Sequence, residues 1–424
     1  MPLITVDAAA AVEGPAWLRG PRMAAAERAA AAPLPTTAEE IWRYSRIGEL
    51  DPDRYQPVAP PAGGEARVPD AVSALLARVP DPAATVVVVD GRVVAAQVRP
   101  DLEAKGLRVG PLAPDAAEEP WLAERDDRTT DVFADMALAM VGRPVVIDVP
   151  AGLVVDAPVV VAGWLDQDGV AFSRLIVRAG ADSEVTVLDH VASGDADALA
   201  LPLVELDASP AARLRYLAVN ELGPRTWQIA SQVARGDSDS STLLSNVALG
   251  GDYARVRCDA RLEGRGASGR QLAVFFGERS QMHDIRTLQD HAAPKTTSDL
   301  LFKGAVQDHS RSVYTGLIRV RKEATGTAAF QTNRNLKLSE HAWAESVPNL
   351  EIETNDVRCS HASAVGPVDE EQRFYLESRG VPPHVAERLI VLGFFGEVLE
   401  HLPVPDLGPG IVREVAARLD RRQA

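Results

Sequence analysis

The chain has 424 residues, 46% of them hydrophobic and 25% charged, with a formal net charge of −16. No apolar run approaches the roughly 18 residues a spanning helix needs, and so acidic a chain lacks the dense basic face that nucleic acid demands. Its two cysteines, Cys258 and Cys359, form no C-x-x-C pair, which argues against a disulfide framework or a self-contained zinc or iron–sulfur site.

Residues 1–141 read as a mixed, largely helical region. An Ala-, Arg- and Glu-rich stretch after Pro15-Ala16-Trp17-Leu18 has helical character and is broken at Pro33. Thr36 and Thr37 precede Glu39 and Glu40 in capping-box spacing, just before Ile41-Trp42-Arg43-Tyr44. Asp90-Gly91 between the β-branched runs Val86–Val89 and Val93-Val94 predicts a hairpin. Helical spacing returns over 131–141. Asp7 and Glu13 stand where an export signal would want a basic start and an apolar stretch, so a cytoplasmic protein is expected.

Between 142 and 368 helical periodicity nearly vanishes. Short runs such as Val145-Val146-Ile147, Leu175-Ile176-Val177 and Leu272–Phe276 alternate with turns of small polar residues. Turn-plus-strand units recur near Asp182, Ser209, Ser238 and Ala267, at spacings of roughly 27 to 29 residues, within the window that marks solenoids. A β-sandwich also yields frequent short strands, but this stretch is long for one sandwich. A parallel β-helix fits better.

Residues 369–424 are helical again. Asp369-Glu370-Glu371-Gln372 is a capping arrangement, Gly380 closes that helix, and Pro382-Pro383 starts another. Val385, Leu389, Leu392, Phe395, Leu399 and Leu402 form a stripe at three- and four-residue spacing. Such helices either cap an open solenoid end or offer an apolar face to a partner.

Several enzyme signatures fail on context. Gly264-Arg265-Gly266-Ala267-Ser268-Gly269 spells G-x-G-x-x-G but leads into a strand, whereas a dinucleotide site needs a helix N-terminus. No Walker A, G-x-S-x-G or H-E-x-x-H sequence occurs, so no ATP site or catalytic residue is expected. A β-helical carbohydrate lyase or hydrolase needs paired acids and usually aromatic platforms, and aromatics are only 5% here. His283-Asp284, Thr287 and His291 match no common metal spacing and read as hydrogen-bonded turn residues; His309 and His341 stand alone in polar turns.

Cys359 and His361 are the metal-ligating candidates. Two apart on a strand, they share a face, and a thiolate beside an imidazole is a soft, iron-competent pair. If alternation carries through from Leu350 and Ile352 on the inward face, both point outward, unless Asn355-Asp356 forms a bulge that swaps the faces. The alternative is a buried inert cysteine beside a surface histidine. Two ligands are half of what a cluster usually takes, so any remainder must come from another chain.

The run Phe330-Gln331-Thr332-Asn333-Arg334-Asn335-Leu336-Lys337-Leu338-Ser339 resembles the Q-x-N-x-N-L-L-L-S of the SufB/SufD family. Pro348-Asn349-Leu350-Glu351-Ile352 and Asp356-Val357-Arg358-Cys359-Ser360-His361 resemble its P-x-L-E-I and D-D-V-K-C-S-H stretches. Asp369–Gly380 is similar to its D-E-x-x-x-F-Y-L-x-S-R-G, and Lys303 and Gly316 fit as well. Leu34–Tyr44 is similar to the L-P-T-T-x-x-E-x-W-R-Y-T of the SufD side, which the low cysteine count also favours. Departures at Asn355, Lys337 and Ala362-Ser363-Ala364 leave Cys359 and His361 in place.

The resemblance implies a mainly β fold, a right-handed parallel β-helix between an N-terminal mixed or helical region and a C-terminal helical one. It implies a scaffold subunit for iron–sulfur cluster assembly that pairs with a SufB-type subunit. The nascent cluster or iron is then shared between the two chains. A SufC-type ATPase docks on the C-terminal helices, and a homodimer is allowed in isolation. His361 is the family-matched candidate for a cluster contact, with Cys359 beside it; the competing reading is a clamp that binds both partners without touching iron.

Overall fold

The computed structural model describes residues 4–58, 68–119, 121 and 131–421. At its centre successive strands alternate between two sheets. Even-numbered strands from β4 (Val145–Val149) to β18 (Trp343–Ile352) build one, and odd-numbered strands from β5 (Val159–Leu165) to β19 (Val357–Gly366) build the other. All pairings within these two runs are parallel. Two sheets thus enclose a lumen, one coil per repeat, and the expected parallel solenoid is present.

Parallel sheets need cover on both faces, which is why their strands read as nearly continuous apolar runs. All five residues of β4 are buried. Trp227 stacks in register on Tyr253, Tyr253 on Met282, Met282 on Arg311 and Arg311 on Trp343.

One corner of the solenoid is a column of left-handed residues: Asp182, Ala211, Asp239, Gly266 and Lys295, with φ of 55°, 60°, 57°, 75° and 59°. Each donates its N–H to a carbonyl one coil further on, at Pro210, Ser238, Arg265, Pro294 and Thr325 respectively. The recurring small polar turns are therefore the corner ladder. The G-x-G-x-x-G spelling belongs to it: a Cβ on Gly264 would lie 1.9 Å from the Ser238 nitrogen.

The N-terminal end is closed. Strands β1 (Ala84–Val89) and β2 (Arg92–Val98) form the expected antiparallel hairpin, with Asp90 and Gly91 at φ 49° and 79°. β1 continues the odd sheet through a parallel pairing with β5, and β3 (Arg108–Pro111) lies antiparallel on β4. Leu102 and Leu107 are buried in the same cluster as Ala83, Val155 and Val159 and plug the lumen.

The described α-helices are, in order, α1 (Val6–Ala11), α2 (Arg19–Ala31), α3 (Asp70–Leu76), α4 (Pro100–Glu103), α5 (Val132–Met140), α6 (Glu370–Ser378), α7 (Pro383–Leu399) and α8 (Gly408–Arg421). The side chain of Asp131 caps α5 and that of Asp369 caps α6. Phe133 and Met136 of α5, with Trp42, cover the even sheet through Phe172, Leu201, Trp227 and Tyr253. Val391, Phe395 and Val398 of α7, with Ile411, Val415 and Leu419 of α8, cover the odd sheet through Leu217, Leu272, Val274 and Phe276.

The C-terminal helices therefore lie along a sheet face and do not cap the open end. The odd sheet's outer face is itself apolar and demands cover. The stripe they bury also differs from the expected one. Val391, Phe395, Val398 and Leu402 are inside, while Leu389 is 48% exposed. Lys303 fastens α7 by donating to the Phe394 carbonyl at 2.8 Å.

Candidate functional site at the open end of the solenoid

Among the described residues strand β18 pairs only with β16 (Arg311–Val320), and β19 only with β17 (Thr327–Lys337), so both final strands keep an edge with no partner strand there. Leu350 and Ile352 stack in register on Ile318 and Val320, which are wholly buried in the lumen. Leu350 and Ile352 are nonetheless 39% and 41% exposed, because no further coil covers them. Val365 of β19 is exposed in the same way.

Cys359 stacks on Ala329, and it packs with Ile318, Val320 and Ala324. His361 stacks on Gln331, which is buried in the lumen. The pair therefore shares a face, but that face looks into the lumen at its mouth and not outward from the barrel. Asn355-Asp356 is a corner of the solenoid, where Gly326 N–H donates to the Asp356 carbonyl. Alternation does not carry across a corner, so even residues of β18 and odd residues of β19 face the same interior. His361 is exposed because the mouth is open; Cys359 is half-buried. Burial pushes the Cys359 thiol up, against a hydrogen bond from the Ala329 backbone. Among the described residues no group of three or more His, Cys, Asp or Glu is arranged to hold a metal. The end offers two soft donors.

The other candidates are accounted for within the fold. Cys258 lies in the lumen, its Sγ 3.2 Å from Gln232 Oε1, and burial pushes its thiol far up. His283, Asp284, Thr287 and His291 are buried residues of strand β14 (Met282–His291), not of a turn. His291 sits 2.8 Å from both the Thr296 and the Ser298 hydroxyl, and His283 Nε2 is 3.2 Å from the Phe276 carbonyl. Burial lowers both imidazoles to about 4.

Asp284 points the other way, accepting from Arg255 at 2.7 Å, Arg286 at 2.5 Å and Tyr253 at 2.8 Å. The two arginines donate onward to the carbonyls of Ile41 and Arg43. His309 and His341, expected to stand alone, are stacked on neighbouring corners, ring centroids 5.0 Å apart with 4° between planes.

Two features were not singled out as functional. Gln331, Asn333 and Asn335 form a buried polar row on β17, and their i, i+2 spacing, which puts three amides on one face of the strand, was the available signal. Phe374 and Tyr375 on α6 are 73% and 59% exposed. Sequence spacing does not reveal their exposure, because exposure depends on what packs over them.

The architecture defines a β-solenoid scaffold. The family model for the SUF system FeS cluster assembly SufBD core domain matches residues 164–394. An iron–sulfur cluster assembly SufBD family protein of Mycobacterium tuberculosis is 36% identical over 298 residues, 68% of this chain and 72% of its own length. The iron–sulfur cluster assembly protein SufD of Escherichia coli is 28% identical over 399 residues, 92% and 89% of the two chains. SufD of Bacillus subtilis is 26% identical over 422 residues, 96% and 94%. The chain belongs to the SufB/SufD family of SUF-system iron–sulfur cluster assembly proteins, and within it is of the SufD type. Its role is that of a scaffold subunit in cluster assembly. No helix among the described residues is long and apolar enough to cross a membrane.

Proposed function

We propose that the open end receives a SufB-type chain, and that Cys359 and His361 are this chain's contribution to a shared site for nascent cluster or iron. The supporting observation is the unfinished coil. Two free strand edges and three lumen-facing apolar residues, Leu350, Ile352 and Val365, lie bare around the thiol and the imidazole. Exposed edges of this kind pair with another chain or aggregate. Cys and His suit iron, and two donors require the rest from across the interface. The cluster is cargo here, formed at the junction and passed on.

A SufC-type ATPase docks on the exposed face of α6 and α7, where Phe374, Tyr375 and Leu389 have no cover. In isolation the open end accepts a second copy of the chain. Both partners act in the cytoplasm.

The test is co-purification with SufB-type and SufC-type partners, followed by iron and acid-labile sulfide analysis. His361→Ala should leave assembly intact and lower both contents, more than His309→Ala does. Normal contents in an assembled His361 variant would leave only the clamp role.

A further inference from the structure

Gln331 is an amide buried without a partner. It is 1% exposed, and among the described residues neither its Oε1 nor its Nε2 has a hydrogen-bond partner. Leaving such a group unpaired is costly, so its surroundings decide what it is for. One coil below, its in-register neighbour is Leu300, wholly buried and apolar. Across the lumen it leans over Gly316, where an added Cβ would lie 2.7 Å from Gln331 Oε1. The nearby Tyr314 hydroxyl is engaged with Thr287 Oγ1 at 3.1 Å. Along its own strand, Asn335 Nδ2 donates to Asn333 Oδ1 at 2.7 Å, which leaves Asn333 Nδ2 and Asn335 Oδ1 without partners among the described residues. The residue directly above Gln331, in register on the last strand, is His361.

His361 has the complementary need. No ring nitrogen of His361 is hydrogen-bonded among the described residues. A metal-bound histidine almost always donates its other ring N–H to a carboxylate, carbonyl or water, which fixes the tautomer and raises ligand basicity. A side-chain carboxamide oxygen on the adjacent parallel strand, about 4.8 Å away in backbone, is within reach of an imidazole on the same face.

We propose that Gln331 is the positioning partner of His361: its Oε1 accepts the imidazole N–H and turns the other ring nitrogen toward the mouth, where iron is presented. This rests on the reading of His361 as a ligand. Gly316 is the clearance that lets the amide stand upright, and Leu300 is the apolar floor beneath it.

The experiment uses the complex with both partners and measures iron retention under a chelator, with iron and sulfide content, for Gln331→Leu, Gln331→Glu, His361→Ala and the double variant His361→Ala/Gln331→Leu. Gln331→Leu should lower iron affinity by about 10- to 100-fold, the usual loss on removing such a partner, with the thermal midpoint of the isolated chain unchanged or raised. Gln331→Glu keeps the acceptor and should restore retention. The double variant should be no worse than His361→Ala alone. Gln331→Leu matching wild type while His361→Ala loses iron would overturn the positioning role and leave the shared site standing. Additive losses, or no rescue by Glu, would also overturn it. Unchanged iron in His361→Ala would overturn the ligand reading and this inference with it.

Discussion

Arg255 donates to Asp284 at 2.7 Å in the floor of the even sheet while its guanidinium lies 3.6 Å from the centroid of the Trp42 ring. Asp284 also holds Arg286, so one carboxylate orients both arginines that grip the carbonyls of Ile41 and Arg43. Arg255 and Arg286 keep Asp284 ionised against the penalty of its burial. Asp284→Ala would leave two buried guanidinium groups uncompensated, and should cost about 3–5 kcal/mol in urea unfolding. Hydrogen exchange over residues 41–44 should rise in parallel; a loss confined to β14 would contradict the latch.

Stability should fall on acidification through His283 and His291. Burial lowers both to about 4. Above about pH 6.5 they are neutral in folded and unfolded chains alike; below it the unfolded chain takes up protons that the fold refuses. The loss therefore develops as pH drops from about 6.5 to about 4, reaching about 3 kcal/mol per histidine at the lower limit. Urea midpoints for His283→Gln and His291→Gln should show a flatter acid limb than the parent chain.

Two glycine-to-alanine changes should have opposite signs. Gly264→Ala drives a Cβ into the Ser238 backbone and should cost at least about 3 kcal/mol, beyond ordinary overpacking. Gly393→Ala, in α7 with nothing within 4 Å, should stabilise by about 0.5–1 kcal/mol. Thermal midpoints of the two variants check both.

Thiol labelling should separate the cysteines. Cys359 is half-buried at the mouth and Cys258 is sealed in the lumen, its thiol raised by burial. A maleimide should modify one cysteine, Cys359, in the native isolated chain, and Cys258 only on unfolding. Adding the SufB-type partner should protect Cys359. Equal labelling with and without that partner would count against placing the interface at the open end.

Phe374→Asp tests the docking face. At 73% exposure the side chain contributes little to the core, so unfolding should shift by no more than about 0.5 kcal/mol. Association with the ATPase should weaken at least tenfold by titration calorimetry. Unchanged affinity would move the dock elsewhere.

Local chemistry alone determined much of this protein. The Asp90-Gly91 hairpin, the Asp131 and Asp369 caps and the corner spacing through Asp182, Gly266 and Lys295 all follow from backbone preferences within a few residues. The Cys359/His361 pairing on one face followed from strand geometry in the same way. The direction of that face did not, because the corner at Asn355-Asp356 resets alternation and only the stacking on Ala329 and Gln331 settles it. The latch from Trp42 to Asp284 joins residues far apart in sequence. The placement of α7 along the odd sheet likewise depended on which surfaces were left bare once the coils had stacked. Burial is a property of neighbours, and those neighbours come from distant coils.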